Sequence, residues 1–140
     1  MAMTGLRAFD HSLTITKRWL KELQEELHSE DQNETYSLLG AVLNALRDRL
    51  TIEQSAHLAA QLPLLLKGAF YDQWKPAEKP LKYRSEQEFL DRVKESFDNP
   101  RWNPLRVSGA VFRVLDKQVS EGEIGKAKHE LPPEIEKLWP

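Results

Sequence analysis

The sequence predicts an all-α protein, an internally duplicated helical bundle with two similar units of three to four helices packed around a pseudo-twofold. Three observations lead there. Apolar residues recur at helical spacing through most of the chain, and no segment keeps the alternation of a half-buried strand. Residues with capping spacing stand where those stretches begin. The chain also repeats itself: Gly40-Ala41-Val42 and Leu62-Pro63 return as Gly109-Ala110-Val111 and Leu131-Pro132, 69 residues later. Leu46 then falls on Leu115, Leu50 on Val119 and Thr51 on Ser120. With a one-residue adjustment upstream, Trp19-Leu20, Leu23 and Leu27 fall on Phe89-Leu90, Val93 and Phe97. Repetition of this kind builds similar units that share a core.

The elements follow in order. Asp10 is placed to cap a first helix reaching about His28, with Leu13, Trp19, Leu20, Leu23 and Leu27 inward and Lys21, Glu22, Glu25 and Glu26 in water. Asp31 with Glu34 marks the start of a second helix through about Leu50. Its apolar set, Leu38 through Leu50, spans more than one stripe and predicts a central helix buried on two sides. Thr51-Ile-Glu-Gln54 and Ser120-Glu-Gly-Glu123 are capping boxes at matching places. Pro63 and Pro132 interrupt the helices that follow, or open a fourth helix in each unit, because proline lacks the backbone donor. Lys75-Pro-Ala-Glu-Lys-Pro80 reads as an extended connection. Ser85-Glu-Gln-Glu88 opens the second unit, and Asn103-Pro104 caps a helix to about Lys117. The expected organisation is one domain, residues 1–140, with repeats at 9–74 and 84–139 and a linker at 75–83.

The glycines Gly40 and Gly109 are unfavourable inside helices by roughly 1 kcal/mol against alanine. Each precedes Ala-Val, so the reading is a small-residue notch where another helix comes close.

Bulk properties narrow the function classes. A chain of 140 residues buries roughly two-thirds of its unfolded surface and folds without staples. It has no cysteine, hence no disulfide and no thiolate zinc site. The start, Met1-Ala-Met-Thr-Gly-Leu-Arg7, lacks a leader's apolar core. Leu62-Pro63-Leu64-Leu65-Leu66 is too short for a bilayer span. A cytoplasmic protein with no membrane partner is expected. The formal net charge is -2, and no basic excess marks a nucleic-acid surface.

The string Leu43-Asn-Ala-Leu-Arg-Asp-Arg-Leu50 resembles the bacterial domain-of-unknown-function family 2267. So do Glu53-Gln-Ser-Ala-His-Leu-Ala-Ala-Gln-Leu-Pro63, Tyr71-Asp-Gln-Trp-Lys-Pro76 and the closing Leu131-Pro…Leu138-Trp-Pro140. The resemblance covers nearly the whole chain. It implies an organisation, and no activity, substrate or catalytic residue.

No catalytic constellation emerges from the spacing. Glu25-x-x-His28 matches one element of a two-iron bundle, but the second unit has Glu95-Ser-Phe-Asp98 there, so no metal and no cofactor are expected. Glu53 and His57, four apart, form either a proton-transfer pair or a helix-surface pair. The second unit has Gly122 and Lys126 at those places. Phe70, Tyr71 and Trp74 are the candidate binding surface, since tryptophan and tyrosine favour interfaces. The bland alternative has Phe70 and Trp74 sealing the bundle's end. The function expected is a helical protein-interaction or regulatory module, contacting a protein partner or a second copy. Its competitor is a small-molecule-binding protein or enzyme with a pocket between the repeats.

Overall fold

A computed structural model describes residues 4–97 and 99–140. Met1–Met3 and Asp98, which enter the leader and metal readings above, lie outside the described residues. Among the described residues there are eight helices and no strand. They are α1 (Arg7–Leu27), α2 (Gln32–Arg49), α3 (Ile52–Ala59), α4 (Leu64–Tyr71), α5 (Glu86–Phe97), α6 (Pro104–Gln118), α7 (Glu121–Glu130) and α8 (Pro133–Glu136).

The side chains expected to cap helix starts do so, with one exception. Asp31 accepts from the Asn33 and Glu34 N–H groups, Asn103 from Leu105 and Arg106, Thr51 from Gln54 and Ser120 from Glu123. Ser85 Oγ accepts from Glu88 N–H and donates back to its carboxylate. The exception is Asp10. Helix α1 begins three residues earlier, at Arg7, and Asp10 sits inside it, accepting from the Thr4 N–H and hydroxyl. The upstream segment supplies the donors that an N-terminal turn would otherwise offer. Pro63 and Pro132 occupy the N-cap positions of α4 and α8 with near-identical backbones (φ -59°, ψ 152° and φ -59°, ψ 151°).

The core lies around α2 and α6. Helix α2 packs on α1, α4, α5 and α6, and α6 packs on α1, α5 and α7 as well. Val42, Leu43 and Leu46 of α2 and Val111, Phe112 and Leu115 of α6 are fully buried. Phe112 stacks on Trp139 with ring centroids 4.1 Å apart. Helices α3 and α7 pair with each other.

The notch reading of the glycines is overturned. A Cβ added at Gly40 or Gly109 would meet nothing within 4 Å. No helix presses on either position, and nothing in the structure explains the glycines there.

Candidate functional site

Helix α2 carries Arg47-Asp48-Arg49 on its last turn, and all three are buried, at 5%, 7% and 8% exposure. A buried charge is costly unless it is paired and hydrogen-bonded, and these are. Arg47 Nε donates to Asp48 Oδ1 (2.8 Å), and its Nη1 donates to the carbonyls of Phe70 (2.8 Å) and Asp72 (2.9 Å). Asn44 Nδ2 donates to the Ala69 and Phe70 carbonyls at 3.0 and 3.2 Å. The last carbonyls of a helix lack partners within it and carry partial negative charge. Asn44 and Arg47 satisfy those of α4 and fix its end on α2.

Asp48 Oδ2 accepts from Arg92 Nη2 of α5 (3.1 Å). The Asp48 carbonyl accepts from Leu81 N–H, and Arg49 Nε donates to the Tyr83 carbonyl. The segment 75–83 forms no helix, but it is not extended throughout: it turns at 76–79, where Lys79 N–H donates to the Pro76 carbonyl and Glu78 is left-handed (φ 67°), and its later part docks on the end of α2. Tyr83 packs on the core beneath the Arg49 guanidinium, 5.7 Å from ring centroid. Burial, with the Asp48 and Glu88 charges adding to it, pushes the Tyr83 phenol up to about 12 against the opposing pull of Arg92 and Arg49. Burial likewise lowers the Arg49 guanidinium from its ordinary value.

These ties position the aromatic group. Phe70 is fully buried, while Tyr71 and Trp74 are half-buried. Phe70 and Tyr71 meet edge to face at 5.5 Å, and Tyr71 lies against Trp74 at 5.3 Å. The Trp74 indole N–H is buried without an acceptor among the described residues. Trp139 differs: it is 6% exposed and its N–H donates to Asp116 Oδ1 at 2.7 Å. Beside the Tyr71–Trp74 edge an open cleft of about 480 Å³ is lined by Asn44, Arg47, Asp48, Asp72, Arg92 and Glu95. The cleft is polar and made by α2, α5 and the Asp72–Gln73 turn; Phe70, Tyr71 and Trp74 flank that turn in the chain and do not line the cleft.

Sequence reasoning missed the charged part of this site. The signal was present: three consecutive charges in a helix read as buried on two sides must find partners.

Glu53 and His57 lie elsewhere, where α3 meets α7. Their Oε1 and Nε2 are 3.8 Å apart, longer than a hydrogen bond, and the Glu53 side chain is 88% exposed. The other ring nitrogen lies 3.7 Å from Glu123 Oε1 of α7. The cleft shares no residue with this group. Glu25 and His28 are both exposed, and His28 ends α1 in a left-handed conformation (φ 56°). Among the described residues no three His, Asp or Glu side chains are grouped to hold a metal ion, and no helix is long and apolar enough to cross a membrane.

The α3–α7 contact is polar. Thr51 N–H and Oγ1 donate to the Glu130 carboxylate (3.1 and 2.9 Å), Ser120 N–H donates to Gln61 Oε1 (3.2 Å), and Gln54 Nε2 donates to Glu123 Oε2 (3.2 Å). In the Thr51 and Ser120 boxes the reciprocal bond to the N-cap N–H comes instead from across the contact, from Glu130 of α7 and from Gln61 just beyond α3.

A family model described as an uncharacterized conserved protein, DUF2267, matches residues 16–138. No curated protein matches the chain.

Proposed function

The chain belongs to the DUF2267 family of uncharacterized conserved proteins, and we propose that this member is a helical interaction or regulatory module, working in the cytoplasm by surface recognition without turnover. The observation carrying this reading is the half-buried Tyr71–Trp74 pair, held at the bundle's edge by the Asn44 and Arg47 bonds to the end of α4. An aromatic pair fixed in place loses little conformational freedom on contact, which favours recognition. Phe70 anchors that pair from the core. The binding residues are Tyr71 and Trp74, with Phe70 behind them.

The same reading treats the chain as one domain of two repeats, 9–74 and 84–139, joined by 75–83 and related by a pseudo-twofold. Under the 69-residue offset, the Thr51–Glu130 bond maps onto Ser120–Gln61, and Gln54–Glu123 maps onto itself. A twofold contact pairs residues in this reciprocal way. The packing of α2 on α5 is matched by that of α6 on α1, and α1 on α2 by α5 on α6. Val42 and Leu46 of α2 and Val111 and Leu115 of α6 are fully buried and the two helices pack on each other, which favours a module over an enclosed reaction chamber.

The cleft beside Trp74 supports a second reading, a small polar ligand bound between α2 and α5. The Glu53–His57 pair, open to water, supports it less. Affinity capture from the native cell, with mass spectrometry of both protein and small-molecule eluates, separates the two. A protein retained by the native chain and lost with Trp74→Ala supports the module. A small molecule retained equally by both, with no protein difference, overturns it.

A further inference from the structure

Four large apolar side chains that water reaches lie together at one end of the molecule. Leu6 and Phe9 stand at the start of α1, and Leu64 and Leu65 open α4, with exposures of 54%, 50%, 53% and 43%. Phe9, Leu13, Leu64 and Leu65 line a shallow groove of about 350 Å³. Leu65 N–H donates to Ser12 Oγ at 3.2 Å, so the two helix starts are fixed to each other. Phe9 and Leu13, four apart, share one face of α1, and Leu6 precedes them at the N-cap in extended backbone (φ -110°, ψ 116°).

The patch, on the order of a few hundred Å², is the size of the largest apolar patch on a typical monomer, and such patches are often functional. By itself it is about half of the ~800 Å² each partner gives a standard interface, so a stable contact needs polar pairs at its flank. The flank supplies them with both signs. Asp10 and Lys17 lie two helical turns apart on one side of the Phe9–Leu13 stripe, away from Ser12 and α4. Asp10 Oδ1 is engaged by Thr4 (2.8 and 2.9 Å), its Oδ2 makes no hydrogen bond among the described residues, and Lys17 is exposed.

Two such helices laid antiparallel bring equivalent flanks together. Asp10 then faces Lys17 of the second copy, Lys17 faces the second Asp10, and the two Leu13 side chains meet at the centre. A parallel pair would turn this flank toward the Ser12 side of the second helix and leave Asp10 and Lys17 without each other. We infer that two copies of this chain associate through this face as an antiparallel, isologous dimer. The starts of α5 and α8 carry instead the Glu86–Lys137 ion pair (3.1 Å) and a Glu86 N–H bond to Glu134. Among the described residues the starts of α5 and α8 therefore do not repeat this apolar face, and a contact of one patch with itself closes at two copies.

Equilibrium sedimentation of the full chain tests this. The mass should rise with concentration toward twice the 16.2 kDa of one chain. Phe9→Glu, at an exposed position, should give a monomer with an unchanged melting temperature. Asp10→Lys should weaken the dimer about tenfold by opposing two lysine pairs, and adding Lys17→Asp should restore it. Trp74→Ala should leave the dimer intact. A native chain that stays monomeric, including one that binds phosphatidylcholine vesicles through this face instead, would overturn the proposal. So would a dimer indifferent to Phe9→Glu, or an Asp10→Lys defect that Lys17→Asp fails to repair.

Discussion

Gln54 and Glu123 face each other across the α3–α7 contact, Nε2 to Oε2 at 3.2 Å, and they stand 69 residues apart, the interval that separates Gly40 from Gly109. Residues equivalent under a twofold meet only on its axis, so the proposed symmetry places the axis between these two side chains.

Replacing Gln54 by Glu would set two carboxylates face to face at that point. The expected cost at neutral pH is about 1 kcal/mol, read as a lower urea midpoint. Glu130→Ala should cost about 1–2 kcal/mol, because Thr51 loses the acceptor for both its N–H and its hydroxyl. Unchanged midpoints for both variants would mean that α3 and α7 do not hold together through these bonds.

The buried pair Arg47–Asp48 makes a sharper prediction. Asp48→Ala leaves the Arg47 guanidinium, 6% exposed, without its carboxylate. That should cost about 3 kcal/mol or more. Arg92→Ala removes the outer partner, whose side chain is 37% exposed, and should cost about 1 kcal/mol or less. Chemical denaturation of the two variants checks the ordering, and equal losses would contradict it.

Much of this fold was legible in the sequence because the cues were local. Asp31, Thr51, Ser85, Asn103 and Ser120 each mark a helix start that a single turn of backbone decides. The apolar width of α2 gave its central place for the same reason. What escaped depended on neighbours remote in the chain. Asp10 has a cap's chemistry, yet Thr4 engages it and α1 begins upstream. Gln54 and Glu123 have the spacing of capping boxes, yet each serves the facing helix. The aromatic group at Phe70, Tyr71 and Trp74 was visible as composition. Its attachment through Asn44 and Arg47 needed the fold, because those bonds join residues 23 to 26 positions apart.

The glycines yield a prediction opposite to the notch reading. Gly40→Ala and Gly109→Ala meet open space and should each stabilise the protein by up to about 1 kcal/mol. Leu46→Ala and Leu115→Ala, at fully buried positions, should each cost about 2–5 kcal/mol. Thermal unfolding of the four variants should divide them by sign.

Tyr83 gives the pH dependence. Its phenol is raised to about 12 from an ordinary 10.0, so the folded chain keeps a proton that the unfolded chain releases first. The associated stability is fully present below about pH 10 and falls as pH rises toward 12. Ultraviolet titration should show a phenol ionising near 12 in the native chain that is lost in Tyr83→Phe. The hydroxyl has no partner among the described residues, so Tyr83→Phe should not lower the melting temperature at neutral pH. A native phenol that ionises near 10 would contradict the burial.

The most direct measurement of the proposed recognition role compares Trp74→Ala with the native chain twice, once for melting temperature and once for affinity to the captured partner. The expected result is a melting temperature nearly unchanged and binding weaker by about 2 kcal/mol or more, as for an anchoring tryptophan. A lowered melting temperature with unchanged binding would contradict it and make Trp74 a lid on the bundle.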